Sequence, residues 1–175
     1  MTKINEKDYL LTPSDLALVC VQRVMNLIQK HSSPTEAARL VTDSYWLDPF
    51  YGEGAFYSHF PSTHRDFCEI RQPFERNYFD YSKESSPYQT LDGWDGVCDV
   101  ICSCPPVTSF ECVLEKTAWL RPRVFSFLVE MSKATPRRIE KLEKLGYYIR
   151  DILLIKVSAW YGFTANIIWA HKDFT

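Results

Sequence analysis

A chain of 175 residues is long enough to bury a real core and short enough for a single domain. Its 46% hydrophobic and 24% charged residues suit a globular fold, and a net charge of -2 excludes any global attraction to nucleic acid or to an anionic membrane, so a nucleic-acid partner needs a local patch. No run reaches transmembrane length and MTKINEKDYL lacks an apolar leader, so the expected setting is intracellular, cytoplasmic or nucleoid/nuclear, with no membrane partner and the six cysteines reduced.

The first element is an amphipathic helix over 13–31. In LALVCVQRVMNLIQK the apolar positions recur at three and four, with Pro13 at the start. Ser33-Pro34-Thr35-Glu36 opens a short second helix. DSYWLD reads as a strand entering a glycine turn, and GAFYSHF as the start of the next helix. RDFCEI is a second strand ending in Glu69, and NYFDY a third ending near Asp80. The polar stretch 82–96 is a surface loop. GVCDVICS is a strand buried on both faces, stopped by Pro105-Pro106. FECVLEKTAWL is helical, and RVFSFLVEM is the next buried strand. TPRRIEKLEKLGYY is a helix that Gly146 ends, and IRDILLIKVSAW and ANIIWAHKDF are β-rich. Strands alternating with helices give an α/β fold with a mostly parallel sheet.

The stretch LDPFYGEGAFY, 47–57, places two of only six glycines one residue apart at a strand end. In a parallel sheet such ends bind ligands, and Gly52 and Gly54 let the backbone turn tightly and approach one. The third glycine of a dinucleotide fingerprint is absent, Tyr57 standing there, and so is the Gly-Lys-Ser/Thr of a phosphate loop. A compact nucleoside-like ligand fits this turn better than a pyrophosphate.

DPFYGEG resembles the D-x-F-x-G-x-G motif of class I S-adenosylmethionine-dependent methyltransferases, and more narrowly that of the adenine-amino DNA methyltransferases. The resemblance runs from Leu11 to His171. It implies a Rossmann-like methyltransferase fold in one domain over 1–175, with a mostly parallel seven-stranded sheet, an antiparallel last strand and helices on both faces. It implies S-adenosylmethionine as cofactor. Thr12 and Pro13, within TPSDLA, stand where the family contacts the methionine end. Asp48 accepts from the cofactor's amino group or from the turn backbone. Phe50 packs against the cofactor or the sheet, while Gly52 and Gly54 shape the turn. Glu69 takes the ribose hydroxyls and Asp80 the adenine amino group.

Cys104-Pro105-Pro106-Val107 stands at the family's catalytic Asn/Asp/Ser-Pro-Pro-aromatic motif. There the first residue and the first proline's carbonyl accept hydrogen bonds from the target amine, and the aromatic ring stacks on a flipped base. Cys104 is a weak acceptor unless ionised, and Val107 has no ring face. The cofactor half is intact and the substrate half eroded. Two readings stay open: a methyltransferase-like protein of the DNA adenine-amino type with weakened or lost activity, and a catalytically inactive binding or structural subunit. A weaker third is transfer to a protein or a small amine. Beyond the loop over 82–96 no segment is long enough for target recognition, so a protein partner supplying it is one expectation.

Cys98, Cys102, Cys104 and Cys112 lack CxxC spacing, so core packing rather than a metal is the reading for Cys98 and Cys102. Arg121, Arg123, Arg137, Arg138, Lys141 and Lys144 read as a solvated face diluted by Glu140 and Glu143.

Overall fold

The computed structural model describes residues 11–158, 160 and 162–174. The first ten residues, where a leader was sought, and Ala159 in IRDILLIKVSAW lie outside the described residues.

Six strands form one sheet: β1 (Trp46–Asp48), β2 (Arg65–Phe67), β3 (Val100–Ser103), β4 (Val124–Glu130), β5 (Tyr147–Ile155) and β6 (Thr164–His171). Their order is β2-β1-β3-β4-β6-β5. The pairs among β2, β1, β3 and β4 are parallel, and β6 runs antiparallel to both β4 and β5. The last strand is therefore antiparallel, as expected, but among the described residues the sheet has six strands and not seven.

The missing strand is NYFDY, which forms a 3-10 turn over Tyr78–Asp80. Asn77 caps it by accepting from the Phe79 N–H at 3.2 Å, and Tyr78 and Tyr81 are both buried. A spacing of three puts both rings on one side, which a strand would not do. GAFYSHF likewise yields only turns and a 3-10 turn at Tyr57–His59 before Pro61, rather than a helix. Near Glu69 the second strand is reduced to an isolated antiparallel bridge with Arg76.

Alternating side chains set the layers. Leu47, Ile101, Phe125, Phe127, Ile167 and Trp169 pack toward α3 (Phe110–Leu120) and Leu142 of α4 (Pro136–Lys144). Trp46, Val100, Cys102, Val124, Leu128 and Ile168 face α1 (Ser14–His31) and α2 (Pro34–Thr42). Helices thus cover both faces, and continuous apolar runs such as β4 are buried throughout most of their length. Removing one central ring such as Phe125 would cost about 3–5 kcal/mol.

In α1 the buried residues are Ala17, Cys20, Val21, Val24, Leu27 and Ile28, the three-four stripe of the sequence. Ser33 caps α2 by accepting from the Glu36 N–H. After α4, Gly146 turns the chain at φ +87° directly into β5. Cys98 and Cys102 are fully buried in the core, and all six cysteines are free thiols. Among the described residues, no helix is long and apolar enough to cross a membrane.

The chain leaves β1 toward β2 on one side and returns to β3 on the other. The strand order therefore reverses between β1 and β3, opening a crevice at their carboxyl ends.

Candidate ligand-binding site

A cavity of about 420 Å³ lies in that crevice, a volume suited to a small ligand. Of the residues singled out in the sequence, Thr12, Phe50, Gly52, Glu69, Cys104 and Pro106 line it. Pro13, Asp48, Gly54, Asp80, Pro105 and Val107 do not.

The glycine turn is folded on its own contacts. Gly52 and Gly54 have φ of +59° and +81°, conformations that a side chain would strain. A Cβ on Gly52 would make only an ordinary contact, with the Phe50 carbonyl oxygen at 3.9 Å. A Cβ on Gly54 would meet the Tyr51 hydroxyl at 2.8 Å. What comes close to Gly54 is thus the chain's own ring, which packs on Phe67 at 4.2 Å between centroids and meets Tyr57 and Phe74 edge-on.

Asp48 ends β1 beneath the turn and is fully buried. Its Oδ1 accepts from the Ser103 hydroxyl at 2.6 Å and from the Phe50 N–H at 3.2 Å. It holds the turn backbone, which is one of its two expected roles, and ties the end of β1 to the end of β3. Its Oδ2 has no partner among the described residues. Burial pushes its pKa up to about 7 against the pull of the Ser103 and Phe50 hydrogen bonds.

Glu69 behaves in the opposite way. Burial pushes its carboxyl up, but Arg71 outweighs that and holds it below the ordinary range, helped by Gly52. Its Oε1 accepts from the Arg71 N–H at 3.0 Å and from Arg71 Nε at 2.9 Å. Its Oε2 accepts from the Gly52 N–H at 3.0 Å and from Arg71 Nη2 at 2.8 Å. Arg71 Nη2 also donates to the Gly52 carbonyl at 2.8 Å.

The segment after Glu69 is held at its base by Arg76. This arginine forks onto both oxygens of buried Asp66 at 2.6 Å, and its N–H donates to the Glu69 carbonyl at 2.7 Å. Asp66 also accepts from Tyr81 at 2.8 Å, and Tyr81 is hydrogen-bonded to Tyr45. This network brings Ile70, Arg71, Asn77 and Phe79 onto the cavity wall. Sequence reading passed over all four. Asn77 stands on the wall in place of Asp80, whose carboxylate accepts from Asn77 Nδ2 at 3.0 Å.

The facing wall comes from the end of β3. Burial pushes the Cys104 thiol up to about 11, opposed by a hydrogen bond with Thr12. The thiol is therefore neutral at physiological pH and a weak acceptor. Pro106 completes this wall, and Val107 begins a 3-10 turn away from it.

No protein-family model matches the chain, and no curated protein matches it. Solved structures do. The chain is similar to magnesium protoporphyrin IX methyltransferase from Synechocystis, crystallised with bound SAM, with 13% identity over 94% of this chain and 88% of that one and a TM-score of 0.56. It is similar to precorrin-6y C5,15-methyltransferase from Geobacter metallireducens, with 16% identity over 98% and 93% and a TM-score of 0.52. A chain of the E. cuniculi Mtq2-Trm112 complex, responsible for methylation of the eRF1 translation termination factor, matches with 15% identity over 95% and 99% and a TM-score of 0.52. At such identities the likeness shows the fold alone, which is the Rossmann-like methyltransferase fold.

Proposed function

We propose that this chain binds S-adenosylmethionine in the cavity beyond β1 and β2, and that it is a methyltransferase-like protein of the DNA adenine-amino type with weakened transfer. One observation carries the reading. Thr12, Phe50, Gly52, Glu69, Cys104 and Pro106, each singled out in the sequence for this ligand or its reaction, line a single cavity at the strand-order reversal. The fold of its structural neighbours supports it, as does the bound SAM of one of them.

The residues present suit the cofactor. Phe50, Ile70 and Phe79 offer apolar walls for a flat base, and the Asn77 amide offers a donor and an acceptor for its edge. Glu69 is the carboxylate on the wall for the ribose diol. Gly52 presents bare backbone to the cavity where a side chain would intrude. Asp48 serves from below as the turn's anchor, and Asp80 through Asn77. Thr12 borders the end nearest Cys104, and Pro13 follows it off the wall as the residue that opens α1.

The cofactor supplies an electrophilic methyl group on a sulfonium. The chain's task is to hold an amine with its lone pair aimed at that group. Pro105, whose carbonyl would be a full acceptor, lies off the cavity wall, and the neutral Cys104 thiol on it is a weak one. A base entering the site would find no ring at Val107. Misplacing a reactant costs orders of magnitude in rate, so positioning limits transfer here.

The neutral thiol and the position of Val107 favour a second reading: a subunit of the same fold that binds the cofactor without catalysis. In either case 1–175 acts as one methyltransferase-like domain, and a partner protein supplies target recognition. The two-protein assembly of one structural neighbour supports that arrangement. Calorimetry with S-adenosylmethionine tests the cofactor site, and no binding at millimolar concentration would sink the enzyme reading. Tritiated methyl transfer to DNA, RNA and protein pools then separates a slow enzyme from a binding subunit.

A further inference from the structure

Glu69, proposed above to take the ribose hydroxyls, has no acceptor position left for them. A carboxylate offers about four lone-pair sites, and all four are taken by the Gly52 N–H and by three donors of Arg71. Two of those four donors belong to the Arg71 guanidinium, which alone among them can leave without unfolding the turn. Its side chain is 44% exposed, so water can receive it, whereas the Glu69 side chain is 9% exposed and cannot follow. The same guanidinium reaches across to the Gly52 carbonyl and so straps the glycine turn to the acid.

We infer that Arg71 is a latch on the ribose subsite, which an entering diol must displace, and that it sets both affinity and the preference for a 2′,3′-diol. This rests on the methyl-donor reading of the cavity. A ligand with two hydroxyl donors replaces both guanidinium bonds to Glu69, one for one. A 2′-deoxy ligand replaces only one, so part of the latch stays closed over it. The latch also keeps the site ordered when empty, because an unpaired and nearly buried carboxylate would be costly.

Calorimetric binding of S-adenosylhomocysteine and of its 2′-deoxy analogue to the wild-type chain, Arg71→Met and Arg71→Lys tests this. Arg71→Met keeps the stem and removes the fork. It is expected to bind S-adenosylhomocysteine about tenfold tighter, equivalent to ~1.4 kcal/mol. The gain for the 2′-deoxy analogue is expected to be smaller. Arg71→Lys, a single point charge without the fork, should fall between wild type and Arg71→Met. In the ligand-free proteins, the Glu69 carboxyl followed by NMR should titrate at higher pH in Arg71→Met than in wild type. Wild-type binding that Arg71→Met leaves unchanged or weakens overturns the latch and leaves the methyl-donor reading standing. Absence of binding in all three proteins overturns both. A Glu69 titration unmoved by Arg71→Met overturns the latch on its own, with or without ligand.

Discussion

The two walls of the cavity are built to different standards. The wall from the ends of β1 and β2 is dense with charge-assisted hydrogen bonds: Glu69 with Gly52 and Arg71, Asp66 with Arg76 and Tyr81. The wall from the end of β3 presents a neutral thiol and a proline. Bonds to an ionised group contribute about 1.5–3 kcal/mol each, and a thiol contact far less. Polar chemistry is thus concentrated where a nucleoside would be held and thinned where a reacting amine would sit. On the proposed reading, the difference teaches that one fold can keep a wall for the ligand while the wall facing the reacting group becomes less precise.

The largest predicted effect breaks the dense wall at its turn. Gly54→Val places a branched side chain at φ +81° and against the Tyr51 ring. Backbone strain of this kind costs about 1–3 kcal/mol, and displacing the ring adds to it. A loss of about 3 kcal/mol in urea unfolding is expected, with cofactor binding lost as well. Next comes Glu69→Ala, which removes the carboxylate proposed for the diol and the acceptor of the Gly52 N–H. Cofactor affinity should fall about a hundredfold in calorimetry, ~2.7 kcal/mol, alongside a lower melting temperature from the released Gly52 and Arg71 donors. Loss of stability with cofactor affinity unchanged would mean that Glu69 only holds the turn.

Asp48 is the joint between the walls, since Ser103 at the end of β3 donates to it. Its folded-state pKa of about 7 lies above the unfolded value of about 3.9. The native chain therefore keeps a proton that the unfolded chain has released. Stability from this group is fully present below about pH 4 and is lost as pH rises through about 7. Between pH 5 and 7 the loss is about 2 kcal/mol on that slope. Asp66 and Glu69, whose carboxyls are held below the ordinary range, work in the opposite sense at acid pH. The informative quantity is thus the difference between variant and wild type. Asp48→Asn, which cannot ionise, should show a melting temperature that falls less from pH 5 to pH 8 than wild type does. Parallel pH profiles would mean that Asp48 is ionised across the range.

How far this asymmetry was legible in the sequence follows from the range of each interaction. α1, α3, α4, β3, β4 and β6 could be read because burial writes its period along one segment. NYFDY was misread as a strand because its rings satisfy an alternating pattern as easily as a spacing of three. What chose between them was the Asn77 cap on the Phe79 N–H, within the segment, and the burial of Tyr81 against Asp66, a contact from outside it. At the site, Gly52, Phe50 and Glu69 were visible because they stand at strand ends in a recognisable order. Arg71 and Asn77 were not, because an arginine two residues after an acid has no spacing signature. Only the fork onto Glu69 and the reach to Gly52 reveal the first. For the second, the signal available was the short Asn-x-x-Asp spacing, which reads equally well as an ordinary turn.

The smallest effect sharpens the comparison from the thin wall. Cys104→Asn replaces a neutral thiol by an amide oxygen, a full acceptor on the cavity surface. Cofactor affinity should change by less than about twofold, because the Glu69 wall is untouched. Methyl transfer to an adenine-containing strand should rise about tenfold, the ~1.4 kcal/mol of one better hydrogen bond to the amine. Adding Val107→Phe should bring no further gain, because position 107 lies off the cavity wall and a ring there would not reach a base. A strong gain that needs both substitutions would mean that the turn over Val107–Ser109 moves inward when substrate binds. No gain from either would place the limit outside the β3 wall, in a missing target-recognition partner. The dense wall would then belong to a subunit that holds the methyl donor without passing it on.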